Sequence, residues 1–275
     1  MFAKLWHDDG VWGSVLGALV QGARVLVPGE GIVETSVRIE GDKIAAVGAD
    51  AAPGDRIVDA DSLLLLPGIV DLHGDAFERQ IMPRPGVHFP MQVAFADTDR
   101  QLVSNGITTA YHAVTFSWEP GLRGRDTVVA IVDGLDKARP RLLTDSRFHL
   151  RFELFNLDVV DEVADWMRRG RVDLLAFNEH MAPILRKADK GEPLGTYTGR
   201  TGLSEEDFLA LVRGLEARTD EVAPMVGRLA EIARANNIPM ASHDDRTADE
   251  RRHFNALGCD IAEFPLTLEA AEESR

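Results

Sequence analysis

The chain has 275 residues, of which 45% are hydrophobic, so it can bury a substantial core as one large domain or two of ordinary size. Its formal charge of −15, from 30 basic and 45 acidic side chains, argues against a nucleic-acid or anionic-membrane surface. An anionic substrate therefore requires a local cluster of basic residues. No apolar run approaches the roughly 20 residues that span a bilayer, and residues 11–20 follow two aspartates rather than a basic segment, so no signal peptide is predicted.

The first part of the chain predicts a small β-domain. Its strands are expected at residues 24–27, 33–39, 43–47 and 56–58, separated by glycine turns. Gly41-Asp42 lies between runs of alternating apolar residues, as in a β-hairpin. We assign residues 1–66 to this β-domain and its N-terminal extension, and residues 67–275 to a second domain.

The second domain predicts strands that alternate with amphipathic helices, which implies a parallel sheet. Gly106, Gly170 and Gly258 are expected to end helices, and the helix at residues 219–236 is expected to begin with Thr219 or Asp220 as its cap. The six predicted strands are residues 69–72, 107–114, 148–155, 172–177, 238–241 and 261–264.

Such βα units suit either a (β/α)8 barrel or an open doubly wound sheet. Acids and histidines stand at or just past the carboxyl ends of four strands, where barrel enzymes assemble their sites. No glycine-rich turn follows the first strand, as a doubly wound nucleotide-binding sheet would require. The predicted fold is therefore α/β, an incomplete TIM-like barrel with about six of eight strands and a small N-terminal β-domain.

The first barrel strand ends in an imidazole and a carboxylate two positions apart. His73 and Asp75 share a face of extended chain, and both are suitable ligands for zinc, manganese or iron. A single strand-end histidine is more often a hydrogen-bonded surface residue. Glu153, His180 and His243, at the third, fourth and fifth strands, make a metal site the better interpretation.

Residues 66–73, Leu-Pro-Gly-Ile-Val-Asp-Leu-His, resemble the first-strand signature of the amidohydrolase superfamily. Further segments resemble one branch of it, the α-D-ribose 1-methylphosphonate 5-triphosphate diphosphatases. These segments are residues 78–80, 82–87, 106–109, 151–154, 202–204, 241–245 and 263–265.

The resemblance implies a two-metal site that hydrolyses a triphosphate to the 5-phosphate and pyrophosphate in phosphonate catabolism. The implied ligands of the two divalent ions (Zn, Mn or Fe) are His73, Asp75, Glu153, His180 and His243. Asp244 or Asp245 is expected to accept a proton or to hold a ligand, with capping of the following helix as an equally weighted alternative.

The triphosphate of a small phosphorylated sugar needs cations, and Arg79 and Arg84 are the first candidates because arginine binds phosphate as a rigid fork. Lys187 and Arg200 lie in a glycine-containing segment, residues 186–202, that we interpret as a lid or, alternatively, as solvated surface. His112 stays unassigned. His149 matches no ligand spacing and is expected to be structural or exposed.

Only six barrel strands are predicted, so the chain is expected to be truncated at its C-terminus and to lack an eighth-strand aspartate. A partner chain that completes the barrel and a rearranged fold are the alternatives.

The competing functions are hydrolysis of cyclic amide C–N bonds and an inactive relative that serves as a binding module. The single cysteine, Cys259, excludes an intramolecular disulfide and fits the cytoplasm. The oligomeric state is left open, and a homo-oligomer is one outcome.

Overall fold

The computed structural model describes residues 17–275, and what the sequence predicts for residues 1–16 lies outside them. The chain divides into two compact units. One consists of the described residues up to Val70 together with Gly106–Thr108, and the other consists of Asp71–Asn105 and Thr109–Arg275.

The first unit contains two small sheets. Its strands are β1 (Ala18–Gln21), β2 (Arg24–Val27), β3 (Gly31–Glu34), β4 (Val37–Glu40), β5 (Lys43–Val47), β6 (Arg56–Asp59) and β7 (Leu64–Leu65). One sheet has the order β5-β4-β1-β6 and the other the order β3-β2-β7. Val20, Val25 and Val37 are at the centre of its buried apolar cluster.

The predicted strand at residues 33–39 is wrong, since the structure has two strands there. The backbone N–H of Thr35 donates to the Ala23 carbonyl at 3.3 Å, and the Ser36 hydroxyl donates to the Ala49 carbonyl at 2.6 Å. The chain therefore changes partners between β3 and β4, which lie in different sheets. The predicted hairpin is confirmed: β4 and β5 pair antiparallel, and Gly41 takes the left-handed conformation (φ 56°) of a tight turn.

The second unit is built on a sheet whose six strands follow chain order. They are β8 (Ile69–Gly74), β9 (Ile107–Phe116), β10 (Asp145–Glu153), β11 (Leu174–Asn178), β12 (Met240–His243) and β13 (Ile261–Glu263). The pairs from β9 to β13 are parallel. The sheet curls so far that His73 of the first strand lies 3.2 Å from Glu263 of the sixth. The prediction of an incomplete TIM-like barrel with a separate small β-domain is confirmed.

Helices connect these strands, as a parallel sheet requires. They are α1 (Phe77–Ile81), α2 (Met91–Ser104), α3 (Arg125–Ala138), α4 (Val160–Arg168), α5 (Met181–Asp189), α6 (Gly195–Thr201), α7 (Glu205–Glu216), α8 (Thr219–Ala235), α9 (Ala248–Ala256) and α10 (Leu268–Glu273). No helix in residues 17–275 is both long enough and apolar enough to cross a membrane.

Strand β10 shows how the sequence positions the site. Phe148, Leu150 and Phe152 alternate along it and belong to the main apolar core. The intervening residues His149, Arg151 and Glu153 are equally buried but belong to the opposite face, because successive side chains of a strand point to opposite sides. The strand therefore has one apolar face and one ionisable face.

Helix ends follow the predictions in part. Gly106, Gly170 and Gly258 all have positive φ angles, as predicted for residues that end helices. The predicted cap of α8 is wrong, because Arg218 precedes the helix without a side-chain cap and the Thr219 hydroxyl donates to the Glu216 carbonyl instead.

Candidate metal centre

Three side chains from three different strands converge at the curled side of the sheet. They are His73 at the end of β8, His149 in β10 and Glu263 at the end of β13, and their ligand atoms all lie within 4.8 Å of one another. Nδ1 of His73 is 3.2 Å from Oε1 of Glu263, and Nε2 of His149 is 3.6 Å from Oε2. The cluster offers two imidazoles and one carboxylate.

The donor atoms of this cluster have no hydrogen-bond partners in the described part of the chain. Nδ1 of His73, Nε2 of His149 and Oε2 of Glu263 are all sealed from solvent and unsatisfied, because the contact of 3.2 Å lacks hydrogen-bond geometry. Buried polar atoms almost always have a partner, so three unsatisfied atoms in one place indicate a ligand. Two imidazoles and a carboxylate are a frequent ligand set of catalytic zinc, and the residues present therefore fit a divalent cation.

The His149 ring is oriented by the backbone. Its Nδ1 lies 3.0 Å from the Leu72 carbonyl, so Nδ1 carries the proton and Nε2 presents its lone pair toward Glu263. Burial lowers the pKa of His149 to about 4, which keeps the ring neutral at physiological pH. Burial opposes ionisation of Glu263, but the neighbouring His73 and His149 outweigh it and hold the pKa of that carboxyl below its ordinary range. Metal binding requires a neutral imidazole and an ionised carboxylate, and these are the states of His149 and Glu263.

His243, a predicted metal ligand, lies beside the cluster. Its ring centroid is 5.2 Å from that of His73. Its Nδ1 is 3.2 Å from Asp244 Oδ2, and its Nε2 accepts from Nη2 of Arg151 at 3.1 Å. Both ring nitrogens therefore have partners, and binding a metal through Nε2 requires Arg151 to release it. The ligand role of His243 stays a prediction.

Two further predicted ligands, Glu153 and His180, contact each other. Oε1 of Glu153 binds Nδ1 of His180, and Oε2 accepts from the His180 backbone N–H at 3.3 Å. Burial works against protonation of His180, but the Glu153 carboxylate outweighs it and raises the pKa of the imidazole above 6.5. The pair is thus poised to hold a proton, and its role as a metal ligand set stays a prediction.

The predicted acids differ in their surroundings. Asp75 is exposed. Asp244 has a left-handed backbone (φ 59°) and faces His243. Asp245 is 2% exposed and accepts from the Ser242 hydroxyl, and burial raises its pKa. The alternative that Asp244 or Asp245 caps α9 is wrong, because the Thr247 side chain accepts from the helix instead. Their catalytic roles stay predictions.

Proteins of known function are similar to this chain in sequence. No family model matches the chain. The α-D-ribose 1-methylphosphonate 5-triphosphate diphosphatase of Escherichia coli (strain K12) is 29% identical over 254 residues, which cover 89% of this chain and 66% of that protein. The dihydroorotase of Bacillus licheniformis is 48% identical over 42 residues, 15% of this chain and 10% of that protein. The chain is thus similar in sequence to this diphosphatase over most of its length.

Among solved structures, N-acetylglucosamine-6-phosphate deacetylase from Pasteurella multocida matches with a TM-score of 0.55 at 11% identity. The match covers 90% of this chain and 56% of the deacetylase, and it supports the barrel fold. The chain thus spans less than two thirds of the length of the diphosphatase and little more than half of the deacetylase. Truncation and its two alternatives stay predictions.

The predicted phosphate-binding residues differ in exposure and in their contacts. Arg79 and Arg84 are exposed, and so is Lys187, whose amine lies 5.6 Å from the centroid of the Tyr197 ring. Arg200 instead pairs through Nε and Nη2 with both oxygens of Glu119, which is 2% exposed. Arg200 must leave this carboxylate before it can bind a substrate phosphate. Substrate binding by all four residues stays a prediction.

The sequence analysis missed His149 and Glu263. His149 lies four residues before Glu153, so the two share a face of any strand that contains both, and this spacing could have indicated it. The expectation that His149 is exposed or merely structural is at odds with its position among the unsatisfied donors. Glu263 stands at the end of a predicted strand, but its proximity to His73 depends on how far the sheet curls.

Proposed function

We propose that the chain is a metal-dependent hydrolase that cleaves α-D-ribose 1-methylphosphonate 5-triphosphate into the 5-phosphate and pyrophosphate in phosphonate catabolism. The observation that carries the hydrolase is the convergence of unsatisfied ligand atoms from His73, His149 and Glu263. The substrate rests on the similarity to the diphosphatase across 89% of the chain. We place the enzyme in the cytoplasm, since its single cysteine, Cys259, requires no oxidising compartment.

In this proposal His73, His149 and Glu263 hold a divalent cation. When bound, such an ion lowers the pKa of a water molecule and neutralises charge on phosphoryl oxygens. A second ion would take its ligands from the remaining predicted set, Asp75, Glu153, His180 and His243, and would displace the proton that Glu153 and His180 share and the contact of His243 with Arg151.

The chain's own residues orient the proposed metal ligands and hold a proton near them. The Leu72 carbonyl fixes the His149 ring, so its lone pair stays directed at the site. Glu153 and His180 share a proton between Oε1 and Nδ1, and the raised pKa of His180 keeps that proton available near neutral pH. Asp244 is ionised and lies beside His243, so its carboxylate orients the His243 ring.

Hydrolysis of a cyclic amide is the second candidate function. The local similarity to dihydroorotase, 48% over 42 residues, favours it, because that relative acts on a cyclic substrate within the same superfamily. Both functions use the same metal ligands, so the cluster does not discriminate between them. They differ in the charge of the substrate.

The test measures pyrophosphate release from the ribose triphosphate and ring opening of dihydroorotate and hydantoins, with metal content determined by mass spectrometry. We expect metal at one equivalent or more per chain and turnover of the triphosphate alone. His149→Asn should lose both metal and turnover, because it removes the Nε2 ligand. The matched control is His253→Asn, since His253 is exposed on α9.

Turnover of cyclic amides without pyrophosphate release would show that the chain is a cyclic amide hydrolase instead. Full metal content in His149→Asn would contradict the proposed ligand set. A chain that binds no metal and hydrolyses none of these substrates would instead support the inactive binding module.

A further inference from the structure

Arg151 is a buried cation in the candidate site. It lies on the ionisable face of β10, and only 7% of the residue is exposed. Its hydrogen bonds are with an imidazole and a side-chain amide. Nη2 donates to Nε2 of His243 at 3.1 Å. With the Asn178 amide turned so that its oxygen faces the guanidinium, Nε and Nη2 also donate to that oxygen at 3.1 and 3.0 Å.

Arg151 forms no ion pair with any carboxylate of residues 17–275, although carboxylates are near. Glu153 contacts His180, and Glu263 contacts His73. Arg123, the neighbouring guanidinium, is neutralised by Glu78 through two hydrogen bonds of 3.0 Å. Glu153 and Glu78 are therefore engaged elsewhere, and Glu263, whose Oε2 has no hydrogen-bond partner, forms no ion pair with Arg151 either.

This burial is costly. Removal from water and the positive charge of Arg123 lower the pKa of Arg151, and the carboxylates of Glu153, Glu263 and Glu78 oppose this shift only in part. A buried charge without a direct ion pair destabilises the folded state by several kcal/mol even after relaxation. Such a charge is therefore expected to be kept for a ligand rather than for stability. The Nη1 group, which has no acceptor among the described residues, is the part of the fork left to bind one.

We propose that Arg151 is the anion-binding residue of this site and that its free Nη1 binds a phosphoryl oxygen of the substrate. The choice of a phosphoryl group, rather than another oxyanion, rests on the proposed function. Asn178 and His243 hold the guanidinium from one edge, which presents the other edge in a fixed orientation. A charged N–H donor that is held in one orientation is a strong partner for a phosphoryl oxygen.

This assignment differs from the residues that the sequence indicates. Arg79, Arg84 and Lys187 are exposed, where water weakens an ionic contact, and Arg200 is already neutralised by Glu119. Arg151 alone among these five is buried, charged and unpaired in the described chain.

The test is calorimetric titration of inorganic pyrophosphate into the full-length chain after chelator treatment, at fixed ionic strength. A charged hydrogen bond contributes roughly 1.5–3 kcal/mol, so we expect Arg151→Met to weaken binding by about 10- to 100-fold. Arg151→Lys, which keeps the charge but loses the fork, should give an intermediate loss. The matched control Arg147→Met lies on the same strand, where Arg147 pairs with Asp145, and should bind as the unmodified protein does.

Circular dichroism checks that each variant is folded, and Arg151→Lys carries the test if Arg151→Met is not. The proposal is overturned if the unmodified chain binds no pyrophosphate, if both Arg151 variants bind it with unchanged affinity, or if Arg147→Met weakens binding equally.

The titration does not depend on turnover, so the two proposals can fail separately. Loss of pyrophosphate binding in the Arg151 variants without any triphosphate hydrolysis would remove the proposed function and keep the anion site. Normal triphosphate hydrolysis together with unchanged pyrophosphate binding in those variants would keep the proposed function and remove the anion site.

Discussion

The two faces of strand β10 are equally buried but differ in what burial achieves. Phe148, Leu150 and Phe152, each at most 1% exposed, belong to the main apolar core. His149, Arg151 and Glu153, at most 7% exposed, have polar contacts, and two of them retain unused donors or acceptors. The first face stabilises the fold, and the second keeps binding capacity at the expense of stability. Four predictions test this division, from the largest expected effect to the smallest.

Truncation on the apolar face should have the largest effect on stability. Phe152→Ala removes a fully buried ring, and such changes cost about 3–5 kcal/mol. Urea unfolding measures the free energy, and metal content per folded chain should be unchanged. A loss below about 1 kcal/mol, or a parallel loss of metal, would show that the two faces are not separate.

The pH dependence of the unfolding free energy should reveal the buried imidazole of His112, which lies among apolar side chains. His112 lies against the rings of Phe77 and Phe95, and burial, with the charge of Arg139, lowers its pKa from 6.5 to about 4. Between pH 6.5 and pH 4 the unfolded chain therefore binds the proton more readily, and stability falls as the pH falls through this window. The difference of about 2.5 units corresponds to roughly 3 kcal/mol.

His112→Leu should reduce this dependence, since leucine does not titrate, and the slope that remains includes His149, whose pKa burial also lowers to about 4. Unfolding free energies of the two proteins, measured from pH 7 to pH 4, give the comparison. Equal slopes for both proteins would show that His112 is already protonated or solvated in the folded state.

Metal binding should stabilise the ionisable face. A ligand present at 100 times its dissociation constant adds about 2.7 kcal/mol when only the folded state binds it. We expect zinc to raise the thermal midpoint of the unmodified chain, and His149→Asn to lose this response. If zinc raises the thermal midpoint of His149→Asn by the same amount, the metal binds at a site that does not include His149.

Surface ion pairs should matter least. Arg125 and Glu162 form two hydrogen bonds of 2.8 and 2.9 Å between α3 and α4, but the Arg125 side chain is 58% exposed. Arg125→Met should cost less than about 1 kcal/mol, and high salt should reduce the difference. A loss comparable to that of Phe152→Ala in urea unfolding would contradict this ranking.

Much of the fold could be predicted because each strand of the sheet is an apolar run between helical segments. The errors lie at strand ends: β8 extends to Gly74 and β12 to His243, beyond the apolar residues that define them. These ends carry polar residues whose partners come from other strands. Local hydrophobicity therefore indicates the strands but not how far they continue into the site.

The candidate site was predicted less completely. His73, Glu153, His180 and His243 all lie at strand ends, where the sequence placed them. Which of them contact each other depends on the curl of the sheet, and no local pattern encodes that curl. Arg151 was not predicted as a site residue, because its burial and its lack of an ion pair depend on contacts between strands.

The contact between His73 and Glu263 also affects the order in which the protein can be completed. The two residues are 190 positions apart in the chain (263 minus 73), at opposite ends of the sheet in sequence. During synthesis the imidazole of His73 leaves the ribosome long before the carboxylate exists. If these residues bind a metal ion as proposed, the full ligand set forms only after the sixth strand has been made and has paired into the curled sheet.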